Sequence, residues 1–203
     1  MILSAEEQHR IGDAIKAAET RTSGEIVCVL ARASSNYASY ALAASALGAL
    51  VSPWLLVAAT HLSTHRILLI QLAVFAALFL LFSAGSLRRF VVPRRVQRSE
   101  AHEAALEQFM IRGMSRKANR AGILIFVSLA EHYARIVADD GIASKVDRAV
   151  WQAAVDALLE RIVFGEIADG FVVAVERCGE VLAEHFPPVE GDEDQLPDRI
   201  YVI

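Results

Sequence analysis

The stretch ASSNYASYALAASALGALVSPWLLVAAT, Ala33 to Thr60, contains no charged side chain. After the short interval HLSTHR, His61 to Arg66, the run ILLIQLAVFAALFLLFSAGSL, Ile67 to Leu87, contains none either. A hydrocarbon core of about 30 Å needs roughly 20 apolar residues at about 1.5 Å rise per residue. Both runs meet that length, and the interval between them has room only for a tight turn. The reading is a two-helix transmembrane hairpin over residues 37–87, with spans at about 40–60 and 67–87. The competing reading, a helical hairpin buried in a soluble core, is disfavoured because a core helix normally keeps a polar edge. Along the first span, Ala41, Ser45, Gly48 and Ser52 form a small-residue stripe. Such a stripe suits packing against the second span or, alternatively, against another membrane protein or a second copy. Pro53 is a potential kink in the same span.

Sidedness follows from the arginines. Arg32 precedes the first span, and Arg88, Arg89, Arg94, Arg95 and Arg98 follow the second, whereas the turn holds only Arg66. Basic residues near membrane ends stay cytoplasmic, so a multi-pass protein of the inner (plasma) membrane is expected, with both termini cytoplasmic. The same arginines suit anionic headgroups of the lipid bilayer. A nucleic-acid partner is not expected, because the net charge is −4 and no aromatic residues are interleaved with the basic ones.

Composition agrees: 55% of the 203 residues are hydrophobic, high for a soluble domain of this length. The opening residues Met1-Ile2-Leu3-Ser4-Ala5-Glu6-Glu7 are acidic and carry no signal-peptide pattern, so the first span is expected to act as its own insertion signal. Cys28 and Cys178 lack metal-type spacing and read as reduced, buried thiols.

Outside the hairpin the chain reads as one α/β domain split into residues 1–32 and 96–186, followed by an acidic tail over 187–203. Ser4 to Glu7 is a capping box opening a helix to about Thr20, with Ile11, Ala14, Ile15 and Ala18 on one face. Glu25 to Ala31 suits a buried strand. A helix from about Val96 to Lys117 places Ala101, Ala105, Phe109 and Met114 together, and Ile123 to Leu129 is the clearest buried strand. Tyr133 to Asp139 alternates, and Ala130-Glu131-His132 is short enough to make it the second arm of a β-hairpin. Ser144 with Asp147 reads as the cap of a helix whose face is Val146, Val150, Ala154 and Leu158, closed by Gly165. The last helix carries Phe171, Ala174, Val175, Cys178, Val181, Leu182 and His185, and stops at Pro187-Pro188. The order implies a small mixed sheet covered by helices, with residues 1–32 packed against 96–186.

Several of these segments together resemble the TPM domain family, which includes thylakoid-lumen phosphatase-like proteins, photosystem-repair factors and an animal acetylcholine-receptor accessory protein. The resemblance is carried by Leu3-Ser4, by Ser23-Gly24-Glu25-Ile26, and by Ala121-Gly122-Ile123-Leu124-Ile125-Phe126-Val127-Ser128. It continues in Arg135-Ile136-Val137-Ala138-Asp139-Asp140-Gly141-Ile142 and in Gly165 through Gly170-Phe171. It implies an α/β/α sandwich, interrupted here by the hairpin. Many relatives carry a signal peptide and a C-terminal anchor and work outside the cytoplasm. The internal anchor and the charge pattern of this chain depart from that arrangement.

The resemblance also implies chemistry, since some relatives are reported as weak acid phosphatases and some bind divalent cations. The candidate metal ligands are Asp139 and Asp140, at a strand end before Gly141, with Glu25 and Asp169 as possible helpers and calcium or magnesium as the cofactor. Two neighbouring carboxylates are a partial site, because calcium takes six or more oxygens. The plainer reading is a solvated turn of Asp and Gly. His102-Glu103-Ala104-Ala105-Leu106 begins like a zinc-protease helix but has Leu106 where the second ligand belongs. His132 reads as a turn residue and His185 as a half-buried helix residue. With no nucleophile beside a base, the favoured function is a non-enzymatic interaction or assembly module on the cytoplasmic face. The alternatives are a weak divalent-cation-dependent phosphatase and an ion- or ligand-sensing membrane protein.

Overall fold

The computed structural model describes residues 2–35, 37–83, 92–114, 121–189 and 196–203. Arg88 and Arg89, the last residues of the second predicted span, the end of the helix predicted to reach Lys117, and the acidic segment 190–194 lie outside the described residues. The chain forms two compact units, Met1–Ser34 with Glu100–Ile203, and Ser35–Ser99.

The first unit is a mixed α/β fold. Its elements are α1 (Ala5–Glu19), β1 (Glu25–Ala31), the later part of α4 (Arg94–Ile111), β2 (Gly122–Ser128), β3 (Tyr133–Ala138), the short α5 (Asp140–Ala143), α6 (Arg148–Val163), α7 (Ile167–His185) and β4 (Ile200–Val202). The four strands stand in the order β3-β2-β1-β4. β1 is parallel to both β2 and β4, and β2 with β3 is the antiparallel pair. The central pairing thus joins a strand from before the hairpin to one from after it.

The mostly apolar sequence of β1 and β2 has a direct cause: every residue of both strands is buried, because helices cover both faces. Ile26, Cys28, Leu30, Ile123, Ile125 and Val127 face a core built with Ile11 and Ile15 of α1, Leu158 of α6 and Phe171 of α7. Val27, Val29, Ala31, Leu124 and Phe126 face the opposite core with Ala105 and Phe109 of α4 and Met114. β3 keeps the expected alternation, Ala134, Ile136 and Ala138 facing the first core and Tyr133 and Val137 the second.

Local signals set the element ends. The Ser4 hydroxyl accepts from the Glu7 amide and the Glu7 carboxylate accepts from the Ser4 amide, the reciprocal pair that starts α1. Gly165, at φ 83°, ends α6 in a Schellman turn: its N–H donates to Ile162 O and the Glu166 N–H to Arg161 O.

Two parts depart from the sequence reading. Asp147 itself caps α6, accepting from the Ala149 amide, so the helix starts at Arg148 and the buried face is Trp151, Ala154, Val155 and Leu158, with Val150 exposed. The Ser144 cap reading fails because Asp139 caps α5 first and the chain turns through residues 144–147. Within the stretch read as an acidic tail, Ile200–Val202 forms β4, the edge strand beside β1.

The second unit holds α2 (Ala38–Ala59) and α3 (Thr64–Ser83), packed on each other, with the start of α4. Both α2 and α3 are long and apolar enough to cross a membrane. α2 continues through Pro53, and α3 begins at Thr64, within the interval read as a turn. Ala41, Ser45 and Ala49 are buried, and a Cβ on Gly48 would come within 2.6 Å of Leu78 Cδ1. The small-residue stripe therefore lets α3 approach α2. The other faces stay uncovered: Trp54 is 80% exposed, and Leu47, Leu50, Leu55, Leu72 and Leu80 are exposed as well.

Candidate functional site

Asp139 follows β3 and caps α5. Its N–H donates to Gly122 O at 3.0 Å, which extends the β2–β3 ladder by one residue. Its carbonyl accepts from the Ile142 and Ala143 amides, and its Oδ1 accepts from the Asp140 amide at 2.7 Å. The residue is only 7% exposed, and its buried Oδ2 has no hydrogen-bond partner among the described residues. A buried carboxylate oxygen without a donor is costly, and such an atom calls for an explanation. Asp140, in the first turn of α5, is exposed.

The sheet register brings Glu25 to the same place. Glu25 pairs with Gly122, and Gly122 with Asp139, so the two acids flank one glycine at the starting end of β1 and β2. They lie two strand spacings apart, about 10 Å at the backbone. Met114 covers the gap, since a Cβ on Gly122 would come within 2.9 Å of its sulfur. Asp169 is elsewhere: it sits in the first turn of α7, ion-paired with Arg10 of α1. Among the described residues, no three His, Cys, Asp or Glu side chains gather closely enough to hold a metal ion. Asp139 and Glu25 present oxygen atoms only, the donor type of hard cations, and two carboxylates fall short of the six or more oxygens that calcium takes.

The histidines sit as follows. His102 on α4 is half-buried, and burial, then the Arg135 guanidinium, holds its imidazole below the ordinary 6.5. Leu106, one turn on, is exposed. His132 takes the left-handed conformation, φ 48°, in the β2–β3 turn. His185 closes α7.

One polar cluster had no expectation attached to it. At the far end of the strands the buried Glu131 carboxylate accepts from the Ser128 hydroxyl and, at 3.1 Å, from the Ser34 amide. This ties the β2–β3 turn to the chain leaving β1. A Ser ending a strand with Glu three residues later was the available signal, and it was too generic to single out.

Residues 85–181 match the family model described as the TPM domain. No curated protein matches the chain. Among solved structures, the chain is similar to the NMR structure of the BA42 protein from the psychrophilic bacterium Bizionia argentinensis, with a TM-score of 0.61 and 22% identity over 99% of this chain and 95% of that one. That likeness is one of fold. The family match starts beyond α1 and β1, yet β1 is the strand against which β2 pairs, so the N-terminal segment completes the sheet of the matched region. Residues 85–181 thus resemble a TPM domain.

Proposed function

We propose that this chain is a membrane-anchored TPM-domain protein that serves as a non-enzymatic interaction or assembly module at the cytoplasmic face of the inner membrane. The observation that carries the reading is the hairpin's surface. α2 and α3 leave Trp54 and a run of leucines uncovered, an apolar area far beyond what a water-facing monomer exposes. A lipid bilayer accounts for that surface, and part of it remains for another membrane protein or a second copy. Arg94, Arg95 and Arg98 open α4 with no acidic residue in its first turn. Positive charge there opposes the helix dipole and is offset by anionic headgroups. With Arg32, these arginines support cytoplasmic termini.

Sidedness is tested by thiol labelling in intact cells. A Ser63→Cys variant should react with a membrane-impermeant reagent, and an Asp192→Cys variant only after lysis. The reversed pattern overturns the assignment. Capture from gently solubilised membranes with mass-spectrometric identification tests the partner, and recovery of lipid alone would argue against an assembly role.

A second reading rests on the lone Oδ2 of Asp139: binding of calcium or magnesium there, with weak phosphatase activity as the family resemblance suggests. A phosphatase needs a charge clamp and an activated nucleophile around the transferring group. Among the described residues, no cationic side chain is hydrogen-bonded to the Asp139 carboxylate, so cation binding without appreciable turnover is the expected result. Metal-dependent hydrolysis of a phosphate monoester that vanishes in Asp139→Asn, with the fold intact, would replace the non-enzymatic reading.

A further inference from the structure

The turn between α6 and α7 carries two adjacent exposed apolar residues: Val163 is 81% exposed and Phe164 82%. Singly scattered exposed aliphatics are ordinary, whereas here two bare apolar side chains adjoin at a helix end. The Schellman turn at Gly165 and the Arg161–Glu166 ion pair, 3.1 Å, hold the turn in shape.

The position of this tip within its own unit can be read from contacts. α7 runs against β1. Its last residue is followed by Phe186, whose carbonyl accepts from the Ser23 amide just before β1, and Leu182 packs on Gly24. From Leu182 back to Ile167 is about 22 Å at 1.5 Å per residue, and β1 is about 23 Å long at 3.3 Å per residue. The tip before Ile167 therefore stands just past the end of β1. α1 gives the same alignment, with Arg10 paired to Asp169 and Ala18 against Gly179.

That is also the end at which the chain leaves and re-enters the unit. It leaves after Ala31, through Arg32 to Ser34, with α2 beginning at Ala38. It re-enters along α4, which runs against β2: its start places His102 near Arg135, which pairs with Phe126, and Met114 lies over Gly122 at the beginning of β2. Both connections to the apolar hairpin and the bare Val163–Phe164 tip thus share one end of the domain.

We propose that Val163 and Phe164 form a third membrane contact, a shallow apolar wedge that seats the TPM domain on the bilayer surface. The inference rests on the hairpin crossing a bilayer, and it holds whichever side the domain occupies. The ionisable residues of the turn itself are Glu160, Arg161 and Glu166, with the Arg10–Asp169 pair at the facing ends of α1 and α7. This setting is net acidic, so the wedge takes the apolar interface of the lipid and not anionic headgroups. An interfacial residue of this kind sits about 5–10 Å into the headgroup and acyl boundary.

The full chain is reconstituted in phosphatidylcholine nanodiscs with an environment-sensitive fluorophore on Phe164→Cys or, as a second position, Val163→Cys. The native thiols are buried and escape labelling. Leu47→Cys in α2 reports on the hairpin, and Val189→Cys, exposed beyond the opposite end of α7, serves as the water-facing reference. The expected result is a blue-shifted probe at 164 and 163 that loses most of its emission to a quencher carried on shallow lipid positions. Leu47 should be quenched from deep positions and Val189 by neither. A lipid-embedded Leu47 with a water-like signal at 163 and 164 overturns the wedge and leaves the anchor standing. Equal quenching at 164 and 189 overturns it as unspecific adsorption. A water-like Leu47 removes the anchor, and the wedge with it.

Discussion

Asp139 donates its backbone N–H to the ladder, uses one carboxylate oxygen as a cap and buries the other without a donor among the described residues. Neutralising it should therefore cost little: Asp139→Asn is expected to keep or raise the metal-free melting temperature, where most buried polar changes lower it. If Oδ2 receives a cation, calcium or magnesium should raise the melting temperature of the natural chain and leave that of Asp139→Asn unmoved. His102 yields a prediction with a sign. Burial and Arg135 hold its imidazole below 6.5, so the unfolded chain takes up the proton first as pH falls. Stability from this group is complete above about pH 6.5 and is lost as pH drops through the native value. His102→Gln should flatten the difference in urea midpoint between pH 7.5 and pH 5. Burial also raises both thiols, Cys178 to about 12. Cys28 and Cys178 should ignore a thiol reagent at pH 8 until denaturant opens the sheet.

Helix ends and strand edges depend on single residues. The left-handed Gly165 would cost about 1–2 kcal/mol to replace with alanine, measured as a lower denaturant midpoint without change in slope. Gly12 of α1 is close-packed, since a Cβ there would meet the Asp198 carbonyl oxygen at 2.6 Å. Gly12→Val should therefore loosen β4, seen as faster amide exchange at Ile200 to Val202, while β2 remains protected. The elements legible in the sequence were those whose signal is local: the Ser4 box, the two-sided apolar strands, the hairpin's length. β4 escaped because three residues carry no periodicity and form a strand only through the edge that β1 offers. The face of α6 was misphased because a capping signal at Ser144 was accepted while Asp147, nearer the helix, does the capping. At the candidate site the Asp pair was visible from its place before Gly141. The burial of Asp139 and its alignment with Glu25 across Gly122 are products of register, and no linear pattern records register between β1 and β2. The same blindness hid the pairing of Asp169 with Arg10, which lies across two helices.

At the scale of the whole molecule, the hairpin separates two pieces of one sheet. β1 supplies the strand between β2 and β4, and its side chains enter both cores. Joining Ser34 to Arg94 through a glycine–serine linker of about 20 residues, which spans roughly 25 Å on average, should give a folded, soluble protein. Such a variant keeps the pairing of β1 with β2 while discarding the uncovered surface of α2 and α3. Removing residues 1–34 should do the reverse. β2 and β3 would be left as a two-stranded hairpin, marginal in water, and β4 would lose its pairing with β1. The inner faces of α6 and α7, with Leu158, Phe171, Val175 and Leu182, would open to solvent where α1 and β1 had covered them. The expected outcome is aggregation, strong binding of a hydrophobic dye and loss of a cooperative unfolding transition, although every residue of the matched TPM region is retained. A monomeric, cooperatively unfolding fragment of residues 92–203 would show instead that the matched region closes its own core. In that case α1 and β1 would be an appendage, and the passage of the chain through the hairpin would have no part in completing the sheet.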